Sequence, residues 1–231
     1  MRLSEFRARL PRGDLWVFGY GSLMWSPGFR CTEKSVAWVH GYHRALCILS
    51  HRHRGTPDNP GLVMGLCRGG SCWGMALRVP AGRAARVLRS LWQREMRGGV
   101  YVPSLLPARV GTRRVRALAF VADPRHPQFA GELDLHSRAR LVAQGIGGRG
   151  RCLDYIANTL AHMRELGVRD PHLEHVLRAA RSLHDSGARQ PLKLPTVAGR
   201  SARPAAARRR RSRRAARDPA PRPGARAGSR N

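Results

Sequence analysis

Leu15-Trp16-Val17-Phe18-Gly19-Tyr20-Gly21-Ser22-Leu23-Met24-Trp25 is the stretch from which the rest of the chain can be read. Its first five residues form an apolar and aromatic run closed by glycine, the pattern of a buried strand entering a tight loop. Glycines at such a place let the backbone turn sharply and present consecutive amides to a carboxylate or a developing oxyanion. The loop is not a dinucleotide fingerprint, because Met24 stands where the third glycine belongs, and it lacks the lysine and the longer glycine spacing of a P-loop. A plain tight turn and an anion-holding loop both fit these residues.

Further strand-like runs lie at 36–39, 44–49, 62–67, 72–79 and 115–122, separated by Gly, Pro, Asp and Asn clusters. Between them, residues 81–96 carry Ala84, Leu88 and Leu91 on one face, with Val87 and Trp92 alongside, which is helical spacing ended by Gly98-Gly99. After Asp123-Pro124-Arg125-His126-Pro127 the pattern turns helical, at 136–145, 152–166 and 171–185, the last opened by Asp170 as N-cap and Pro171 at the first helical position. Strands first and helices later predict an α+β fold, with the sheet curled into a small barrel.

The chain has 231 residues, 42% hydrophobic and 25% charged, which suits one domain with its own core. We expect an N-terminal extension at 1–13, a folded domain at 14–190 and an arginine-, proline- and alanine-rich low-complexity tail at 191–231, disordered because it has little apolar surface to bury. Five cysteines without a C-x-x-C pair suggest neither a disulfide framework nor a zinc cluster, and point to a reducing compartment. The start, MRLSEFRARLPRGD, has charges throughout, and no later run is long enough to span a bilayer, so a cytoplasmic protein without membrane contact is expected.

A formal charge of +29 would ordinarily point to a polyanion partner. Its distribution argues otherwise. Only Lys34 and Lys193 among the 43 basic residues are lysines, a bias that reads as codon composition, and the last thirty-four residues hold twelve of the arginines against one acid. Nucleic-acid contact is therefore an option for the tail, set against incidental low-complexity sequence.

Glu95 falls four residues after Leu91 and seven after Leu88, on the face where the helical period asks for an apolar side chain. Partial burial there would raise its pKa and poise it for proton transfer, while pairing with one of the many arginines is the competing reading. Tyr155, near the start of the 152–166 helix, could donate to a substrate oxygen or serve as a core residue whose hydroxyl reaches water. His51-Arg52-His53-Arg54 and His172-Leu173-Glu174-His175 do not follow a zinc-protease order, and no metal is expected. Ser22 lies outside a G-x-S-x-G elbow and reads as a hydrogen-bonding group, not as a nucleophile.

Taken in order, residues 16–29, His53-Arg54-Gly55-Thr56-Pro57, Asn59-Pro60-Gly61, Trp92-Gln93-Arg94-Glu95-Met96, Tyr101-Val102-Pro103, the 123–127 stretch and Gly148 to Tyr155 resemble the ChaC family of glutathione-specific γ-glutamylcyclotransferases. The resemblance runs from Asp14 to Leu183. It implies a compact mixed β-barrel with surrounding helices, no cofactor, and glutathione as substrate, cleaved to 5-oxo-L-proline and Cys-Gly. It also implies Glu95 as the catalytic acid/base, Tyr20, Gly21, Ser22 and Leu23 as substrate-binding residues, and Tyr155 as a further substrate contact. The alternatives are a related cyclotransferase for other γ-glutamyl amino acids or amines, and a basic nucleic-acid-binding protein acting through its tail.

Overall fold

Five apolar strands account for the barrel: β1 (Leu15–Gly19), β2 (Glu33–Ser50), β3 (Gly61–Val79), β4 (Tyr101–Val110) and β5 (Arg113–Ala122). The computed structural model describes residues 1–186 and Leu192, so the expectations for the tail lie outside the described residues. The strand order is β1-β3-β2-β4-β5, and the sheet closes where β1 runs parallel to β5, with Trp16 opposite Ala117 and Val17 opposite Leu118. Val17, Leu66, Leu77 and Leu118 are fully buried, so side chains fill the barrel. The α+β expectation holds.

Two pairs of runs that look separate in the sequence are each one strand. The runs at 36–39 and 44–49 join as β2, and those at 62–67 and 72–79 join as β3. Where they meet, His40 pairs with Ser71 and Tyr42 with Arg68, so Gly41 lies across an irregularity from Gly69 and Gly70. All three glycines have positive φ, at 80°, 96° and 67°. They bend the paired strands without ending them.

Strand β4 is absent from the strand runs read in the sequence, because Pro103 and Pro107 argue against a strand interior. The two prolines are four residues apart, so their missing donors fall on one edge, and the register with β5 continues through both, Pro103 opposite Phe120 and Pro107 opposite Arg116.

Helix α1 (Leu3–Ala8) lies within the stretch read as an extension, and its buried Phe6 packs on Trp92 with ring centroids 5.6 Å apart. Helix α2 (Ala81–Glu95) buries Val87, Leu88 and Leu91. Helices α3 (Leu135–Gln144), α4 (Cys152–Glu165) and α5 (Pro171–Asp185) pack on one another, with α3 and α4 also resting on β3. The Asp170 carboxylate caps α5 by accepting from the Leu173 amide at 3.0 Å. Between α3 and α4 is a minimal hairpin, β6 (Ile146–Gly147) with β7 (Gly150–Arg151).

Candidate active site

A cleft of about 410 Å³ opens at one end of the barrel, and Tyr20, Gly21, Ser22, Leu23, Glu95 and Tyr155 all line it. Segments far apart in sequence meet here: the loop after β1, the end of α2, the start of α4, and residues 48–54 at the end of β2.

The 20–23 loop is held from several sides. The Tyr20 hydroxyl donates to the Phe120 carbonyl at 2.6 Å, and Arg44 Nε donates to the Tyr20 carbonyl at 2.6 Å. The Tyr20 phenol is thereby committed to β5. A single 3-10 turn follows at Ser22–Met24, closed by the Met24 amide donating to the Gly21 carbonyl at 2.9 Å. The first amides of such a turn have no partner within it and remain available to an acceptor. Gly21 lies close against the opposite wall, since a Cβ there would stand 3.3 Å from the Tyr155 hydroxyl, a tight contact, and 3.5 Å from Met64 Cβ.

Glu95 is the last residue of α2, its side chain 17% exposed. Its Oε1 lies 3.0 Å from Arg94 Nε, so the ion-pair reading has a partner. Burial nevertheless pushes the Glu95 carboxyl above the usual carboxylate range, against the opposing pull of Arg94 and Arg149. Desolvation outweighs the pair, and the group sits closer to a proton-transfer poise than an ordinary surface glutamate.

Arg94, which the sequence reading did not single out, is the hub of this corner. It donates to Ser22 Oγ at 2.9 Å, to the Ser26 carbonyl at 2.8 Å and to the Pro27 carbonyl at 3.2 Å while pairing with Glu95. One side chain thus fixes the carboxylate relative to the loop.

Tyr155 is 7% exposed and packed between Trp25, at 6.3 Å between ring centroids, and the Arg54 guanidinium, 5.3 Å above its ring. Its oxygen accepts from the Met64 amide over a long 3.4 Å, and burial raises its pKa, so the phenol keeps its proton. Among the described residues that proton has no acceptor, which leaves it free to donate into the cleft. Tyr101 also lines the cleft but donates to the Met64 carbonyl at 2.9 Å.

The far wall is the 51–54 segment. The Gly148 amide donates to the Arg52 carbonyl at 2.8 Å and the Arg149 amide to the His53 carbonyl at 2.9 Å, so the β6–β7 hairpin is zipped to this segment. A Cβ on Gly147 would fall 2.6 Å from the Gly55 nitrogen, a contact that only glycine permits. Behind it, the buried Cys152 thiol donates to the Leu62 carbonyl at 3.0 Å and is pushed up to about 12, which keeps it protonated and poorly nucleophilic. Burial, followed by the charges of Arg149, Arg52, Arg54 and Arg94, lowers the His53 pKa. Among the described residues, no three His, Cys, Asp or Glu side chains gather into a metal-binding group. No helix there is long and apolar enough to cross a membrane.

The family model described as ChaC-like protein matches residues 15–183, which include every residue of the cleft. The chain belongs to the ChaC-like family. Within the family it is 35% identical over 176 residues to a protein of Escherichia coli (strain K12) named glutathione-specific gamma-glutamylcyclotransferase, covering 76% of each chain. It is 32% identical over 184 residues to glutathione-specific gamma-glutamylcyclotransferase 1 of Homo sapiens, covering 74% of this chain and 83% of the human one. The fold also matches a crystal structure of a γ-glutamyl cyclotransferase specific to glutathione from yeast, with TM-score 0.68, 20% identity, and coverage of 74% of this chain and 97% of that one.

Proposed function

We propose that the chain is a glutathione-specific γ-glutamylcyclotransferase with Glu95 as its acid/base, forming 5-oxo-L-proline and Cys-Gly without a cofactor. The observation that carries the reading is the largely buried Glu95 carboxyl tied through Arg94 to the 20–23 loop, in a chain belonging to the ChaC-like family. Its five unpaired cysteines suit a reducing, cytoplasmic setting.

In glutathione the attacking α-amine and the γ-carbonyl belong to one molecule. Folding that molecule into near-attack geometry allows a five-membered ring to close without a protein nucleophile. The nitrogen–carbon bond of the lactam forms, the bond from the γ-carbon to the cysteinyl nitrogen breaks, and two protons pass overall from the attacking nitrogen to the departing one. Glu95 takes a proton from the attacking nitrogen and returns it to the leaving amine. Amides of the Gly21–Leu23 turn hold the α-carboxylate or the developing oxyanion, and the Tyr155 hydroxyl donates to a substrate oxygen.

The test compares 5-oxoproline release from glutathione, γ-glutamylalanine and a γ-glutamylamine, using wild type and Glu95→Gln. Glutathione should be strongly preferred. The glutamine variant should fold and bind glutathione yet turn over about 10²–10⁴-fold more slowly, the usual worth of general acid–base assistance. Equal turnover of the three substrates sinks the specificity, and a folded glutamine variant at wild-type rate removes Glu95 from the mechanism.

A further inference from the structure

Among the described residues, five arginines line the cleft, Arg52, Arg54, Arg94, Arg97 and Arg149, against one acid, Glu95. Two of the five are occupied within the protein: Arg94 as described, and Arg54 by donating to the Arg151 carbonyl at 3.2 Å and lying over Tyr155. Among the described residues, the guanidinium groups of Arg52, Arg97 and Arg149 have no hydrogen-bond or ion-pair partner. Three unpaired cations around one cleft call for an anionic ligand, and one carboxylate held at the 20–23 loop leaves them unmatched.

Arg149 is the best placed of the three. Its own amide is bonded to the His53 carbonyl, and its neighbour Gly148 to the Arg52 carbonyl, so its backbone is fixed on the wall formed by 51–54. Its charge acts on Glu95, as does that of Arg94, which puts it within electrostatic reach of the carboxyl from a different part of the chain. In an extended γ-glutamyl tripeptide the terminal carboxylate lies two residues beyond the scissile carbonyl, roughly 7 Å away at about 3.3–3.6 Å per residue. Arg149 and Glu95 line the same cleft from different segments, so a carboxylate carried beyond the scissile bond stays within the cleft that Arg149 lines.

We propose that Arg149 is a specificity-determining residue that binds the C-terminal carboxylate of the Cys-Gly portion, so that the cleft recognises a γ-glutamyl tripeptide by its far end. This rests on the glutathione reading given above. Such a contact would select against γ-glutamylamines, which lack that carboxylate, and against γ-glutamyl amino acids, whose carboxylate falls one residue short.

The experiment measures kcat/KM for glutathione and for its glycyl monoethyl ester, in wild type, Arg149→Gln and Arg149→Lys. Wild type should prefer the free acid by about tenfold, the worth of one charge-assisted hydrogen bond at a water-accessible position. Arg149→Gln should treat acid and ester alike, with the loss falling on KM, and Arg149→Lys should recover part of the preference. A merely structural Arg149 would lower both substrates together and leave the acid-to-ester ratio unchanged, which overturns the proposal. So does a wild type indifferent to the ester, a result that needs no variant to fold. If wild type releases 5-oxoproline from neither substrate, the glutathione reading itself fails and this proposal with it, an outcome distinct from turnover with an unchanged ratio.

Discussion

Arg94→Met keeps most of the alkyl stem but removes every polar contact that joins Glu95 to the 22–27 turn. Three hydrogen bonds are lost, at about 1 kcal/mol net each. With the side chain 23% exposed, water replaces part of that, leaving a destabilisation of about 2 kcal/mol. For a domain of this size that is roughly a 4–8 °C fall in Tm. A second effect is separable from the first. The Arg94 cation holds the Glu95 pKa below where burial alone would set it, so its removal drives that pKa further up. The base then stays protonated to higher pH, and the acidic limb of the kcat/KM profile moves the same way, with activity partly recovered on the alkaline side. Thermal melting and a full pH–rate profile on one preparation test both. A profile whose acidic limb does not move, whatever happens to Tm, refutes the electrostatic link between Arg94 and the proton carrier.

Glu95→Gln should also change how stability depends on pH. Burial raises the carboxyl's pKa in the folded state, so its contribution is intact below the unfolded value and is lost as pH rises through the folded one. The glutamine does not titrate, and the Tm difference should shift in the variant's favour from acid to neutral pH; a shift the other way contradicts net desolvation. The two tyrosines should behave oppositely. Tyr20→Phe strands the buried Phe120 carbonyl and should cost about 1–3 kcal/mol in a denaturant melt while turnover per folded molecule changes little. Tyr155→Phe loses a long 3.4 Å contact from the Met64 amide and should lower the melt less than Tyr20→Phe does, yet lose about tenfold in turnover, as expected for one hydrogen bond to substrate. Interchanged outcomes would reverse the assignments.

The barrel was legible because strands and helices announce themselves by period, and α5 begins at the Asp170-Pro171 signal read from sequence. Continuity of β2 and β3 was not, since Gly41, Gly69 and Gly70 punctuate a sequence in the same way whether they end a strand or bend it. Strand β4 was hidden by Pro103 and Pro107. The helical period drew attention to Glu95 because it stands in line with Leu88 and Leu91. Arg94 and Arg149 carried no such mark: with lysine at only two of 43 basic positions, one arginine looks like another until contacts distinguish the occupied from the unpaired. The Tyr101 and Met64 pairing in the cleft joins residues 37 apart and has no local signature.

Closure of the barrel depends on Trp16 meeting Ala117, about a hundred residues further along the chain, and the 51–54 wall is fixed only after Gly148 and Arg149 arrive. Contacts of such separation form late, because loop entropy must be overcome before they stabilise anything. The β2–β3 hairpin, whose strands follow one another across the 51–60 connection, joins partners much closer in sequence. A chain cut short before Gly148 would keep the β2–β3 hairpin and lose the wall that the 148–149 amides fix.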